Sequence, residues 1–242
     1  MTELIIHGFD RDSNGKPLRQ PGSWSYSRYA LYNECPAKFA FKHIVKLDTG
    51  PLPEAMLRGN KIHNMADKYV TGEIDEMPEE LQKFDTMFKW AREDGKFFTE
   101  QQWGFTNKWD VTGYMVWNGD KKTFMRAVVD LGRYYDDEQH LLIIDHKTGK
   151  LYETNEDQVE LFALAGLCRF PAVQTAETRL WYLDSADEVV RTFEAKDKKY
   201  LIQKWDEAIQ PMFKDKLFAP RKNKWCGRCE FSKYAGGPCP VA

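Results

Sequence analysis

The sequence predicts an α/β fold in which a central β-sheet is flanked by helices, with a helical N-terminal part and a tail that carries cysteines. Three observations predict it. Helical periodicity dominates from Ser25 to Glu93, strand-like apolar runs bounded by turn residues begin at Phe97, and three of the five cysteines fall in the last 17 residues. At 242 residues with 42% hydrophobic content the chain can bury one sizeable core. We expect a single domain: a strand and helical part over 1–96, a sheet core over 97–197, and a terminal helix with the cysteine tail over 198–242.

Residues 1–22 are polar, with a short strand-like start, LIIHGF, and turn signals at Asn14-Gly15 and Pro21-Gly22. SYSRYALYNECPAKFAFKHIVKL then reads as helical, with Ser25 or Ser27 as N-cap. Pro36 begins a second helix, where its missing N–H costs little. Tyr29, Tyr32, Phe39 and Phe41 give these helices an aromatic load suited to core packing. After the linker Gly50-Pro51-Leu52-Pro53, Glu54 to Val70 has helical periodicity through Met56, Leu57, Ile62, Met65, Ala66 and Tyr69. Gly59 and His63, four apart, share one face of it. The acidic loop GEIDEMPEE leads to a helix from Leu81 to Glu93 that ends near Gly95.

Four runs then read as strands: FFTEQQWGF, KWDVTGYMVW, TFMRAVVDLGRYY and HLLIID. Asn118-Gly119, between the second and third, signals a hairpin, so a meander is expected. Glu156 to Cys168 reads as a helix with Cys168 as a small core residue. TRLWYLD and EVVRTFEA form a further strand pair, and Lys198 to Phe213 a terminal helix.

The formal net charge is −2, so a nucleic-acid partner would have to meet a local positive field rather than a global one. Arg28, Lys38, Lys42, Lys46, Arg58, Lys61 and Lys68 are the residues that supply it. No run approaches the roughly 18 apolar residues that span a bilayer, and the N-terminus lacks a secretory pattern. A soluble, cytoplasmic protein without a membrane partner is expected. Five cysteines, an odd number without a secretion signal, argue for thiols or metal ligation rather than disulfides.

The stretch with most chemistry is LLIIDHKTGK, Leu141 to Lys150, in which four aliphatic residues run into Asp145, His146 and Lys147. Its Asp-x-Lys pattern recurs at Asp120-Lys121-Lys122 and Asp197-Lys198-Lys199, so the tripeptide alone is not diagnostic. In a strand, Asp145 and Lys147 share one face and His146 takes the other. The preceding strand also ends an apolar run in an acid, Asp130. If the two strands pair, Asp130, Asp145 and Lys147 converge. Two carboxylates beside a lysine suit Mg2+ or Mn2+, which takes carboxylate, water and phosphate oxygens. Such a metal lowers the pKa of bound water, and a lysine beside it orients water or phosphate. In the tail, Cys226 and Cys229 form a C-x2-C pair with Cys239 beyond and Cys35 near the other end of the chain. Four such sulfurs suit zinc or an iron–sulfur cluster.

The order Gly59-x-x-x-His63, Asp130, Ile144-Asp145-His146-Lys147-Thr148-Gly149-Lys150, then Gln158 in a helix resembles the RecB-like branch of the PD-(D/E)XK nuclease superfamily. That branch includes the CRISPR adaptation exonucleases. SYSRYALYNECPAKFAF is similar to its N-terminal helix, and the resemblance spans residues 24–240. It implies a restriction-endonuclease-like core with a mixed sheet, and a Mg2+- or Mn2+-dependent deoxyribonuclease, an exonuclease acting in DNA recombination or repair. Asp130 and Asp145 would bind the metal with the backbone carbonyl of His146, and His63 would be a ligand or a phosphate-side contact. Lys147 would be the motif lysine and Gln158 would hold it or the substrate, while Glu100 matches an acidic position before the metal aspartate. Phe162 stands where family members often carry tyrosine, four residues after the glutamine. Arg28, Lys38, Lys42, Arg58 and Lys61 would touch DNA. Cys35, Cys226, Cys229 and Cys239 match a layout that holds a [4Fe–4S] cluster in several relatives, with zinc or free thiols as alternatives. DNA is the implied partner, and a helicase or recombination protein a further one. Two other readings stay open: a nuclease-fold DNA-binding or assembly subunit without turnover, and a zinc-type nucleic-acid contact on an unrelated scaffold.

Overall fold

The computed structural model describes residues 4–149 and 156–241; Lys150, the last residue of the motif stretch, lies outside them. The chain divides into two compact units, Pro53–Trp205 in one, and Met1–Leu52 with Asp206–Ala242 in the other. Residues 53–96 fall in the unit that carries the sheet.

That unit is built on six strands, β1 (Phe98–Phe105), β2 (Val111–Thr112), β3 (Met125–Tyr135), β4 (His140–Lys147), β5 (Thr175–Tyr182) and β6 (Asp187–Glu194), in the order β2-β1-β3-β4-β5-β6. All neighbours are antiparallel except β4 and β5, which are parallel and joined through helix α5 (Glu156–Arg169). The sheet is therefore mixed, as parallel neighbours require a crossover rather than a tight turn. The expected meander is corrected at its second strand. KWDVTGYMVW yields only Val111–Thr112, which pairs with β1 on the far side from β3. Asn118-Gly119 consequently joins no pair of neighbouring strands. The local reason is Thr123, whose buried hydroxyl donates to the Gly113 carbonyl (2.7 Å) and accepts from the Val116 N–H (2.8 Å), folding the segment into a loop.

Alternation along β4 assigns the two faces of the sheet. Leu142 and Ile144 pack with Ile62, Ala66 and Tyr69 of α3 (Glu54–Thr71) and with Phe88 and Ala91 of α4 (Asp85–Asp94). Leu141 and Ile143 face α5, where Gly166 comes so close that a Cβ there would lie 2.5 Å from Leu141 Cδ2. The helix expected over Leu81–Glu93 begins as a 3-10 turn, Glu79–Phe84, before α4, which ends at Gly95 in the left-handed region (φ 64°).

In the other unit, α1 (Tyr26–Glu34) starts after Ser25, and Pro36 opens α2 (Pro36–Ala40). Ser25 has the extended backbone of an N-cap, but its hydroxyl meets Ser27 Oγ (3.0 Å) instead of a helix N–H. Tyr32 donates to Asp215 Oδ2 (2.9 Å), and Phe39 stacks on Phe218. LIIHGF forms only single bridges, Leu4 to Leu18 and Ile6 to Phe9. Helix α6 (Lys198–Lys214) precedes the cysteine tail. Among the described residues no helix is long and apolar enough to cross a membrane.

Candidate metal and active site

The β3–β4 ladder stops at the pair Leu131–Ile144, whereas β4 stays paired with β5 as far as Lys147–Tyr182. The two strands part at this point, and the next residue on each is an acid, Asp130 on β3 and Asp145 on β4. Leu131 and Asp130 both serve the α3 side: Leu131 lies in the core with α3 and α4, while Asp130 Oδ2 lies 3.2 Å from His63 Nδ1. Regular alternation would set neighbours on opposite faces. The break falls beside Glu100, whose φ of 47° is left-handed, between the pairs Thr99–Leu131 and Gln101–Val129.

Two groups meet at this fork. In the first, Asp130 Oδ2 accepts the His146 N–H (2.7 Å) and faces His63, with His146 Nδ1 4.0 Å away. In the second, Asp145 Oδ2 is 2.6 Å from Lys147 Nζ, and Asp145 Oδ1 accepts from Gln158 Nε2 on α5 (2.9 Å). Asp145 and Lys147 thus share one face, as alternation along a strand requires, and Gln158 reaches Asp145 from α5. Asp130 and Asp145 adjoin through the backbone of β4, but their carboxylates serve different clusters. The His146 ring stacks on Trp181 and contacts Phe88, on the face opposite Asp145.

The electrostatics differ accordingly. Burial pushes the Asp145 carboxyl up to about 6 against the pull of Lys147. Burial would also raise Asp130, but the hydrogen bond and charge of His63 outweigh it and hold the carboxyl below its ordinary value. Reciprocally, His63 sits above its ordinary value because Asp130 overrides the burial that would lower it. Burial pushes His146 down to about 4, keeping it neutral. Burial, then the Asp130 charge, raises Glu100. A buried carboxylate whose charge is incompletely offset, beside a second carboxylate and an imidazole, is a donor set that fits a hard or borderline dication.

An open groove of about 680 Å³ leads to Asp130, His63 and Glu100. Its helical wall includes Asn60, Asn64 and Asp67, which the sequence reading missed. Their spacing with His63 at i, i+3, i+4 and i+7 is a polar helix face, a signal available in the sequence. Asp184 is a further residue outside the predicted set. Its carboxylate receives both arms of Arg58 (2.9 and 2.5 Å) and the Gly149 N–H (2.6 Å), tying α3 to the turn after Lys147. Gly59 lies under the same turn, where a Cβ would be 3.2 Å from Thr148 Oγ1. Since the pair is partly exposed, Asp184→Ala is expected to cost about 1 kcal/mol, or roughly 2–4 °C in Tm measured by calorimetry.

Of the basic residues, Arg58 is thus occupied by Asp184. Arg28 donates to the Ser23 carbonyl, and Lys46 pairs with Asp12 (2.9 Å). Lys38 lies between Glu34 (3.4 Å) and Glu230 (3.7 Å). Lys42 and Lys61 are exposed, while Lys68 is half-buried. Cys35, Cys226, Cys229 and Cys239 line one small cavity with Lys38 and Arg221. The Arg221 N–H donates to Cys35 Sγ (3.4 Å) and the Asn223 N–H to Cys226 Sγ (3.3 Å). Cys168 is buried in α5 and does not line this cavity.

The model of the PD-(D/E)XK nuclease superfamily matches residues 23–234, and the chain belongs to that superfamily. Solved structures resemble it loosely. A protein of Eubacterium rectale, provisionally named an exonuclease, is 11% identical over 86% of this chain and 87% of its own, with a TM-score of 0.46. A phage-related exonuclease from Haemophilus somnus 129PT is 9% identical over 67% of this chain and 87% of its own, with a TM-score of 0.28. Among curated proteins no match is found.

Proposed function

We propose that the chain is a Mg2+- or Mn2+-dependent deoxyribonuclease of the RecB-like branch, acting as an exonuclease in DNA processing. The observation that carries this reading is the fork where β3 and β4 part, with Asp130 on one strand and Asp145 and Lys147 on the other. Asp130 and Asp145, with His63 and the His146 carbonyl, would hold the metal; Glu100 flanks them in the groove. When bound, the metal supplies Lewis-acid stabilisation of a phosphoryl oxygen and a more acidic water. Lys147 offsets negative charge that develops on the phosphate and orients the attacking water. Gln158, by donating to Asp145, fixes which oxygen that carboxylate turns to its lysine. The resemblance to the RecB-like branch supports action on DNA ends. Purified protein should shorten end-labelled linear DNA with Mg2+ or Mn2+, stop with chelator, and leave circular DNA intact. Cutting of circles would replace the exonuclease by an endonuclease, and no cleavage across substrates and metals would favour a binding or assembly subunit.

For the cysteine cavity, we propose a [4Fe–4S] cluster. Tetrahedral zinc at about 2.3 Å from each sulfur sets the sulfurs roughly 3.8 Å apart. Among the described residues, three potential ligand atoms lie within 4.8 Å of one another at His63, Asp130 and His146, and no cysteine trio does. Four cysteines around one cavity, with backbone N–H groups aimed at two sulfurs, support a group that takes one thiolate per iron. Anaerobically purified protein should be coloured, with about four irons and four sulfides per chain, and Cys226→Ser should lose both. Stoichiometric zinc without iron would overturn the assignment.

A further inference from the structure

We infer that the imidazole of His146 is a metal ligand, closing with His63 and Asp130 a two-histidine, one-carboxylate face that prefers Mn2+ or another transition-metal dication to Mg2+. This rests on the proposed metal at Asp130 and deepens it, with the His146 side chain taking the place of its backbone carbonyl.

His146 is 3% exposed, and among the described residues neither ring nitrogen has a hydrogen-bond partner. A buried polar atom left so is destabilising. The slot between Phe88 and Trp181 would take a phenyl ring without that cost. One of these nitrogens can be taken up by a bound ion, a partner that protein atoms do not supply. Geometry says where it lies. His146 Nδ1 is 4.0 Å from Asp130 Oδ2, too far for a hydrogen bond, and His63 Nδ1 is 3.2 Å from the same oxygen. One ligand atom from each of the three residues falls within 4.8 Å of the other two. Ligands at about 2.1 Å from a common ion lie roughly 3–4 Å apart, so a small inward shift closes the set.

The donor chemistry then sets the preference. Mg2+ takes carboxylate, carbonyl and water oxygens and sheds water reluctantly, whereas imidazole suits the later first-row dications such as Fe2+, Ni2+ and Zn2+. Two imidazoles on one face therefore bias the site away from Mg2+. Asp145, engaged by Lys147 and Gln158, is not needed for this face to close.

Pulsed EPR of the Mn2+-loaded wild type tests the inference without any variant: modulation from two imidazole nitrogens is expected, and from one alone overturns it. His146→Phe supplies the second arm, because the ring packing is kept and the unpartnered nitrogens are removed. The metal-free variant should melt no lower than wild type, lose one nitrogen signal, and bind Mn2+ roughly tenfold or more weakly by calorimetry. Its Mg2+ affinity should change far less. Unchanged Mn2+ affinity with both nitrogen signals retained overturns the inference alone. Failure of the wild type to bind Mn2+ at all overturns the metal site together with it.

Discussion

Asp145→Ala is expected to lower Mn2+-dependent shortening of end-labelled DNA by about 10³-fold or more, because a metal-held phosphoryl oxygen gains several kcal/mol in the transition state and each 1.36 kcal/mol is tenfold. Asp130→Ala should do the same by a separate route, removing the carboxylate shared by His63 and the His146 N–H. Lys147→Ala should reduce turnover while leaving Mn2+ binding nearly intact, since its ammonium sits against Asp145 and not in the ligand trio. Quench assays paired with calorimetric metal titration separate these outcomes. Full activity in Asp145→Ala would place the chemistry elsewhere.

The second large effect is on stability in the absence of metal. Asp145 is raised from 3.8 to about 6 by burial, so the folded chain keeps a proton there that the unfolded chain has released. The associated stability is fully present below pH 3.8 and is lost as pH rises through about 6. At neutral pH the metal-free protein therefore holds an unfavourable buried charge, an effect of roughly 1–3 kcal/mol. Asp130 acts in the opposite sense: its lowered carboxyl loses stabilisation as pH falls below the ordinary carboxylate range. Asp145→Asn should raise the metal-free Tm at pH 8 by roughly 2–10 °C, and should flatten the profile between pH 4 and 6. Mn2+ should then stabilise the wild type more than the variant. An unchanged pH profile in the asparagine variant would show that Asp145 is not the titrating group.

Much of this was legible in the residues because periodicity and alternation are local properties. The helices from Tyr26 to Asp94, the long strands β3 and β4, and the shared face of Asp145 and Lys147 all follow from spacing. Gln158 entered only through the resemblance to the RecB-like branch, not through spacing. What escaped depends on departures from regularity or on contacts distant in sequence. KWDVTGYMVW has strand composition, yet Thr123 folds most of it into a loop. Alternation also fails at Asp130, beside a left-handed Glu100, so the two acids serve different clusters at one fork. Arg58 reads as a surface cation until Asp184, 126 residues away, is found on its guanidinium.

The close seat of α5 on β4 depends on Gly166. Glycine inside a helix costs about 1 kcal/mol relative to alanine, and Gly166 stands where any side chain would strike Leu141 and Ile143. Gln158 lies eight residues earlier on the same rod, about 12 Å along its axis. The missing methyl group thus acts as a depth stop: it sets how low the helix rides over the strand, and so whether the glutamine amide reaches Asp145. The geometry at the fork is set from a position that carries no functional group at all.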